Sequence, residues 1–507
     1  MKATLLYLLS FAIFIYLFSS AYVGRPLGPD QHWYQQEMEL VLESGNPLQI
    51  DYNRVFEAGI DNEELAYLPI HHSLYHVLMF PFSKLFGTLH GILIGNFLAT
   101  LIGVFFITKS TFLITKNHLY SAIVWTLVLL FPLIFRYAIH YLQEIYFFAF
   151  TSIIIFFYLK SFYATPNSKE ELFNKISMYV ICCVAILLYP VFLMTLFMLL
   201  FFDMIISRKK TIYLFAIFGI SGLLCLYLSG FLFNGLVGKL LFTNILYGEK
   251  GPATMGGLYV YLTESFQPIT WFLFRVQKFL SGIFAHSFAI IFSSIAFFVI
   301  ALNTFLVCKF PNKKNFKIFT MLLSFALAIF AMQFLSQYLV RYMLYMLPAL
   351  VISFVYCTRQ MPLFQKIKKS YLQIPFGILF LLFIALDLLA VRTHQKSKAN
   401  ELIVEVPYLE KFSPRVNAGD KLLILVKNLE NHEIHRMASS LPLTVRIFVP
   451  FMENSQEDVI LRANKFSPNK ILISEELNDY VKDICSNCTR KNIIEINGIN
   501  YLYFERD

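Results

Sequence analysis

Apolar runs recur from residue 4 to residue 391, and they decide what this chain can become. They fall near 4–23, 88–108, 118–135, 139–159, 176–189, 191–206, 211–230, 279–307, 316–335, 338–357 and 371–391. A run of about 20 apolar residues matches the thickness of a bilayer's hydrocarbon core when it is helical. Inside that core the backbone must satisfy its own hydrogen bonds, which leaves helices or closed barrels. Charged residues make up 15% and hydrophobic residues 57% of the sequence, whereas soluble domains carry roughly 25% charged residues. The expected fold is therefore a polytopic α-helical membrane protein of about 11 spans. The first run also resembles a signal peptide, with Lys2 before it and Ser19-Ser20-Ala21 near its end. Its length and the spans that follow favour a retained helix.

Segment 176–206 is one long helix or two short ones broken around Tyr189-Pro190, since proline removes a backbone donor. The positive-inside rule decides between them. With a break, the short loops on one side run from Lys109 to Lys116, Lys160 to Lys175, Arg208 to Lys210, Lys309 to Lys317 and Arg359 to Lys369. Together they hold 16 Lys or Arg, and their only acids are Glu170 and Glu171. An unbroken helix would scatter this bias. The expected topology has the N-terminus inside and the C-terminus outside. The net charge of +10 is then largely an orientation signal, and no nucleic-acid partner is implied.

Three regions face outward on this reading. The loop 24–87 carries nine acids against Arg25, Arg54 and Lys84. The loop 231–278 is the second. The third is a tail, residues 392–507, expected to form a small soluble α/β domain beside the membrane domain, residues 1–391. Lys421 to Val426, Leu443 to Val449 and Lys470 to Ser474 read as short buried strands, with helical stretches near 429–439, 453–464 and 475–483. Asn492 to Asn497 and Ile499 to Phe504 read as a hairpin. The tail has no Gly-rich phosphate loop and its strands carry no acid cluster, so no catalytic group is expected there. Cys485 and Cys488 are spaced to close a local disulfide outside the cytoplasm, and two free thiols are the alternative. The other cysteines show no zinc-ligand spacing.

Asp30 follows the first span in Gly28-Pro29-Asp30-Gln31. Residues 31–44 place Tyr34, Met38, Val41 and Leu42 on one face, an amphipathic surface helix stopped by Gly45. Asp30 is thus an N-cap or a general base at the membrane interface, and the residues alone leave both open. A second surface helix runs through Tyr67-Leu68-Pro69 to Lys84-Leu85-Phe86-Gly87, with His71, His72 and His76 read as interface histidines. Glu144 is expected about one turn inside span four, with His140 four residues earlier on the same face. A carboxylate at that depth is costly. Glu144 and His140 are candidates for acceptor or metal binding, or Glu144 pairs structurally with Arg136 or His140. Arg341 lies about one turn inside span ten, before Tyr342. It either snorkels to the headgroups or grips a phosphate in two-pronged fashion. Lys239 and Arg275 are further outward cations. Asp203 and Asp387, near span ends, are read as structural.

This order of parts resembles the GT-C superfamily of membrane glycosyltransferases, the group of protein O-mannosyltransferases and lipid A aminoarabinose transferases. The resemblance covers most of residues 1–391. It rests on Gly28-Pro29-Asp30, on the surface helices ending in Pro69 … Lys84-Leu85-Phe86-Gly87, on the Pro-broken hairpin 176–206, and on Arg341-Tyr342 … Pro348. Two features depart from the pattern. Asp30 is followed by Gln31 where many relatives have a second acid, and His71-His72 stand where a Pro-rich pair is common. The resemblance implies a sugar donor carried on a polyprenyl phosphate, a glycan, lipid or protein acceptor, and a bacterial inner membrane. An acceptor hydroxyl would attack the anomeric carbon and lose its proton to a carboxylate, for which Asp30 is the candidate. The phosphate leaving group needs a cation, with Arg341, Tyr342, Lys239 and Arg275 as candidate donor-phosphate ligands. One displacement with one base inverts the anomeric centre. No cofactor is assigned, and a divalent metal stays open.

Two other classes compete. A secondary transporter places its ionisable groups near the midplane, often within inverted repeats, whereas these lie near the outer face and no repeat is visible. A polysaccharide polymerase or ligase of another membrane fold relies on a late outward loop rich in Arg and His. Loop 231–278 has Arg275 as its only Arg and no His.

Overall fold

The computed structural model describes residues 2–22, 29–47, 56–58, 73–189, 191–207, 211–232, 276–277, 280–281, 284, 287–335, 342–361, 369–407, 413–425, 441, 445–449, 456–496 and 499–506. The chain divides into two compact units. One comprises Met1–Tyr22, His72–Leu78 and Ile92–Val391, the other Val23–His71, Met79–Gly91 and Arg392–Asp507. Parts of the first loop therefore group with the C-terminal residues rather than with the apolar helices.

A helix stands at every predicted span. In chain order, α1 is Lys2–Ala21, α2 the surface helix Pro29–Ser44, β1 Phe56–Ala58, α3 Ser73–Phe86 and α4 Thr88–Thr115. Then come α5 (His118–Leu129), α6 (Pro132–Ala138), α7 (Glu144–Tyr163), α8 (Lys169–Ile186), α9 (Val191–Ser207) and α10 (Thr211–Leu232). The later helices are α11 (Ser287–Lys309), α12 (Lys313–Leu335), α13 (Met343–Gln360) and α14 (Lys369–Pro407). Among the described residues, 6 helices are long and apolar enough to cross a membrane, or 7 if the bent pair α5–α6 is one span. The 39 residues of α14 extend roughly 58 Å, well beyond the apolar run 371–391.

Several boundaries depart from expectation for local reasons. Helix α2 begins at Pro29, so Asp30 is its second residue and not its N-cap. Proline suits the first helical position, where its φ is pre-set and its missing N–H is not needed. Span three is broken. Leu130 closes α5, Pro132 opens α6, and the two axes differ by 56°. The hairpin 176–206 is two helices as expected, α8 ending at Ile186 and α9 beginning at Val191. Helix α3 ends at Gly87, whose φ of +82° favours glycine. The beginning of that second surface helix, with His71 and His72, and the greater part of loop 231–278 lie outside the described residues.

The C-terminal residues build a sheet from β2 (Lys421–Leu425), β3 (Arg446–Val449), β4 (Lys470–Ser474), β5 (Cys488–Ile496) and β6 (Ile499–Arg506), with helix α15 at Gln456–Phe466 and α16 at Tyr480–Ile484. The strand order is β1-β3-β2-β4-β6-β5. The pairs β1–β3, β3–β2 and β2–β4 are parallel, and β4–β6 and β6–β5 are antiparallel. Leu423, Leu425, Ile471, Ile473 and Leu502 pack with Val459 and Ala463 of α15 in one buried core. Strand β1 comes from the first loop, with Phe56 opposite Ile447. Where one long helix was expected at 475–483, a 3-10 turn at Glu475–Leu477 precedes α16. The predicted helix 429–439 lies outside the described residues. Cys485 and Cys488 are joined in a disulfide.

Candidate active site

Glu144 is where the structure departs most from a simple span. Residues 139–143 between α6 and α7 are not helical, and Glu144 is the first residue of α7. His140 and Glu144 therefore do not share a helix face, contrary to expectation. Helix α6 stops at Ala138, and the chain turns inside the protein before α7 starts. The turn is buried: Tyr141 is fully enclosed, and Ile139, Leu142 and Gln143 are nearly so. Buried backbone needs partners, and Asn96 of α4 supplies them. Its Nδ2 donates to the His140 carbonyl at 2.6 Å and to the Leu142 carbonyl at 3.4 Å. Glu144 is only 2% exposed and sits at the positive end of a 20-residue helix, an end that favours a negative charge.

One turn further along α7, Phe147 is the centre of an aromatic cluster. Its ring centroid lies 4.9 Å from Tyr189 and 6.3 Å from Tyr342, and these two are 5.6 Å apart. The Tyr189 hydroxyl donates to the Tyr342 hydroxyl at 3.2 Å. Phe192 links Phe147 to Tyr345, which contacts Phe325 of α12 and hydrogen-bonds the Thr195 hydroxyl. Tyr189 closes the α8 side of the broken hairpin, and Tyr342 opens α13. Between α8 and α9 the Tyr189 ring thus leaves the hairpin and packs on Phe147 of α7 and on Tyr342. Two charged candidates adjoin this cluster in the chain, Glu144 one turn before Phe147 and Arg341 immediately before Tyr342. Tyr75 of α3 packs edge-on against Tyr146, with the buried His76 beside it.

Of the predicted site residues, Glu144 and Tyr342 are thus joined through one helix and one ring cluster. His140 is half-buried with its ring 6.0 Å from Tyr137. Asp30 is placed on α2 by its backbone. Arg341, Lys239 and Arg275 lie outside the described residues. Among the described residues, no three His, Cys, Asp or Glu side chains gather to hold a metal ion.

At the far end of the α8–α9 hairpin, Asp203 accepts from Lys175 at 3.1 Å and from the Tyr179 hydroxyl at 3.2 Å. Lys175 is also 3.3 Å from Glu171. This cluster bounds a cleft that also includes Tyr158 and Lys317. Sequence reasoning missed Asn96, Tyr189 and Thr195. Their signal was present, because each is a polar group within or beside an apolar run.

No family model and no curated protein matches the chain. Solved structures do. ArnT from Cupriavidus metallidurans in the apo state is 11% identical, with a TM-score of 0.59 over 99% of this chain and 98% of that one. The same protein bound to undecaprenyl phosphate gives 0.55 over 99% and 97%, also at 11% identity. The archaeal oligosaccharyltransferase AglB from Archaeoglobus fulgidus, in complex with an inhibitory peptide and a dolichol-phosphate, is 10% identical. It gives 0.53 over 92% of this chain and 70% of that chain. The fold of this chain is thus like that of ArnT and of AglB.

Proposed function

We propose that the chain is an inverting glycosyltransferase that moves a sugar from a polyprenyl-phosphate donor to a hydroxyl acceptor at the outer face of a bacterial inner membrane. The observation that carries this reading is the fold likeness to ArnT, which spans both chains almost end to end. One of those ArnT structures holds undecaprenyl phosphate, a lipid phosphate of the kind that would be the leaving group in the reaction invoked here. Asp30 is the base that takes the acceptor proton. Arg341 and Tyr342 meet the donor phosphate, with Lys239 and Arg275 as further cations, and Glu144 with His140 holds the acceptor. The acceptor is a glycan, a lipid or a protein. The charge bias of the short loops supports an inside N-terminus and an outside C-terminus.

Mass spectrometry of surface glycans and glycolipids from cells with and without the chain identifies the product. Asp30→Asn is then returned to the cells lacking it. Asn is as uncharged as a lost base requires and preserves the side-chain shape, so the protein should fold while product formation drops by roughly 10²–10⁴. A fully active Asp30→Asn chain would end this mechanism while leaving the fold intact.

A further inference from the structure

We infer that Asn96 is a positioning residue of the transfer site, directing Glu144 through the buried turn 139–143. This rests on the reading of Glu144 as part of that site. Asn96 is fully buried on α4, and its side chain spans from that helix to a segment more than forty residues later. The amide nitrogen divides its donors between the carbonyls of His140 and Leu142. Those two residues bracket Tyr141 and end two positions before the acid. The turn then enters α7 directly, with Tyr146 N–H donating to the Gln143 carbonyl at 2.9 Å.

The other half of the amide explains why this arrangement supplies direction more than stability. Asn96 Oδ1 is buried with no hydrogen-bond partner among the described residues. A buried unpaired acceptor costs at least as much as one ordinary hydrogen bond contributes, so it offsets much of what the two donor bonds supply. What the donors fix is geometry. Two carbonyls of a short irregular segment are held to a rigid helix, and the first rigid residue after them is Glu144. A loop buried in the protein has no water to take over these carbonyls, so losing the amide lets the turn reorganise and re-aims the carboxylate. A shift of about 1 Å in a positioned group can cost roughly 100-fold in rate.

The test compares Asn96→Ala, Asn96→Asp, Glu144→Gln and the double variant Asn96→Ala/Glu144→Gln, each full-length and in membranes. Its readout is the mass-identified product that cells lacking the chain fail to make. Asn96→Ala should reduce product formation by roughly 100-fold, and Glu144→Gln should reduce it as well. The double variant should be no worse than Glu144→Gln alone, because Asn96 acts through Glu144. Asn96→Asp has the same shape but donates only when protonated. Its activity relative to the parent should rise as pH falls, and this variant keeps the test informative if Asn96→Ala does not fold. A double variant whose losses multiply overturns the positioning role. So does an Asn96→Asp chain with full activity at every pH while Glu144→Gln is impaired. A fully active Glu144→Gln chain instead overturns the placement of Glu144 in the site, and the role of Asn96 falls with it.

Discussion

Replacing Asp203 with Asn should loosen the α8–α9 hairpin at its open end without disturbing its closed one. Lys175 and Asp203 lie 3.0 Å apart, with side chains 12% and 13% exposed. Breaking a fully buried pair by removing one partner costs about 3–5 kcal/mol, while an exposed pair contributes about 0–1 kcal/mol. Two features lower the cost here. Lys175 keeps Glu171 at 3.3 Å, and the new amide oxygen can still accept from Lys175 or Tyr179. About 2 kcal/mol is therefore expected, lying between those limits. Tyr189 lies about 14 residues from Lys175 along the hairpin, or about 20 Å at the helical rise, so transfer should stay near the parent level. Cys182 and Cys183 are buried on α8 and report the opening. After the exposed Cys308 is blocked, a thiol-reactive dye should label the Asp203→Asn chain several degrees below the parent on heating. The double variant Lys175→Met/Asp203→Leu removes both charges and should recover most of the loss. An Asp203→Asn chain labelled at the parent temperature, or a double variant whose losses add, would refute the claim that this pair holds the hairpin.

A Cβ at Gly103 of α4 would meet the Phe148 ring of α7. Gly103→Ala should therefore destabilise by about 1–3 kcal/mol, read as an earlier thermal transition and partly relieved by Phe148→Leu. Cys485→Ser opens a four-residue covalent loop. On chain-entropy grounds it should cost about 2 kcal/mol, seen as faster amide exchange in β5 without loss of α7 protection. The hydrogen bond from Lys470 to Glu505, at 2.7 Å, holds the Glu505 carboxyl below the usual glutamate value of 4.5. Its stabilisation is then present above pH 4.5 and disappears as pH falls through the lower folded value. The stability gap between the parent and Glu505→Gln should accordingly be constant near neutrality and vanish in acid; a gap that widens on acidification would contradict the assignment.

Apolar periodicity located a helix at each expected span because lipid demands long uniform runs, and such runs are legible one at a time. The break at Tyr189-Pro190 was legible for the same reason, since proline acts locally and the loop charges had to balance. What the sequence concealed depends on contacts between distant segments. Asp30 looked like a cap because an acid before an amphipathic stretch usually is one. Proline at the preceding position moved the helix start upstream of it. His140 looked four residues down a helix from Glu144. Asn96, more than forty residues earlier, binds two carbonyls of the irregular segment 139–143, a contact that local periodicity does not encode. The Tyr189–Tyr342 pair joins residues 153 apart, and no periodicity encodes such a meeting. The tail strands were visible by composition, but β1 is three residues long and gave no run to read.

That short strand also sets an order of events in biosynthesis. Phe56 pairs with Ile447, so strands about 390 residues apart must meet in parallel, a contact of very high sequence separation. A ribosome finishes the loop that carries Asp30 early and then makes every apolar helix before the strand that receives β1 exists. Until β3 emerges, the edge hydrogen bonds of 56–58 have no partner in their own sheet. The β1 segment of that loop therefore finds its sheet partner only in the last stage of chain completion. A chain cut short before residue 446 would lack the strand that receives β1 and leave its backbone groups without that partner.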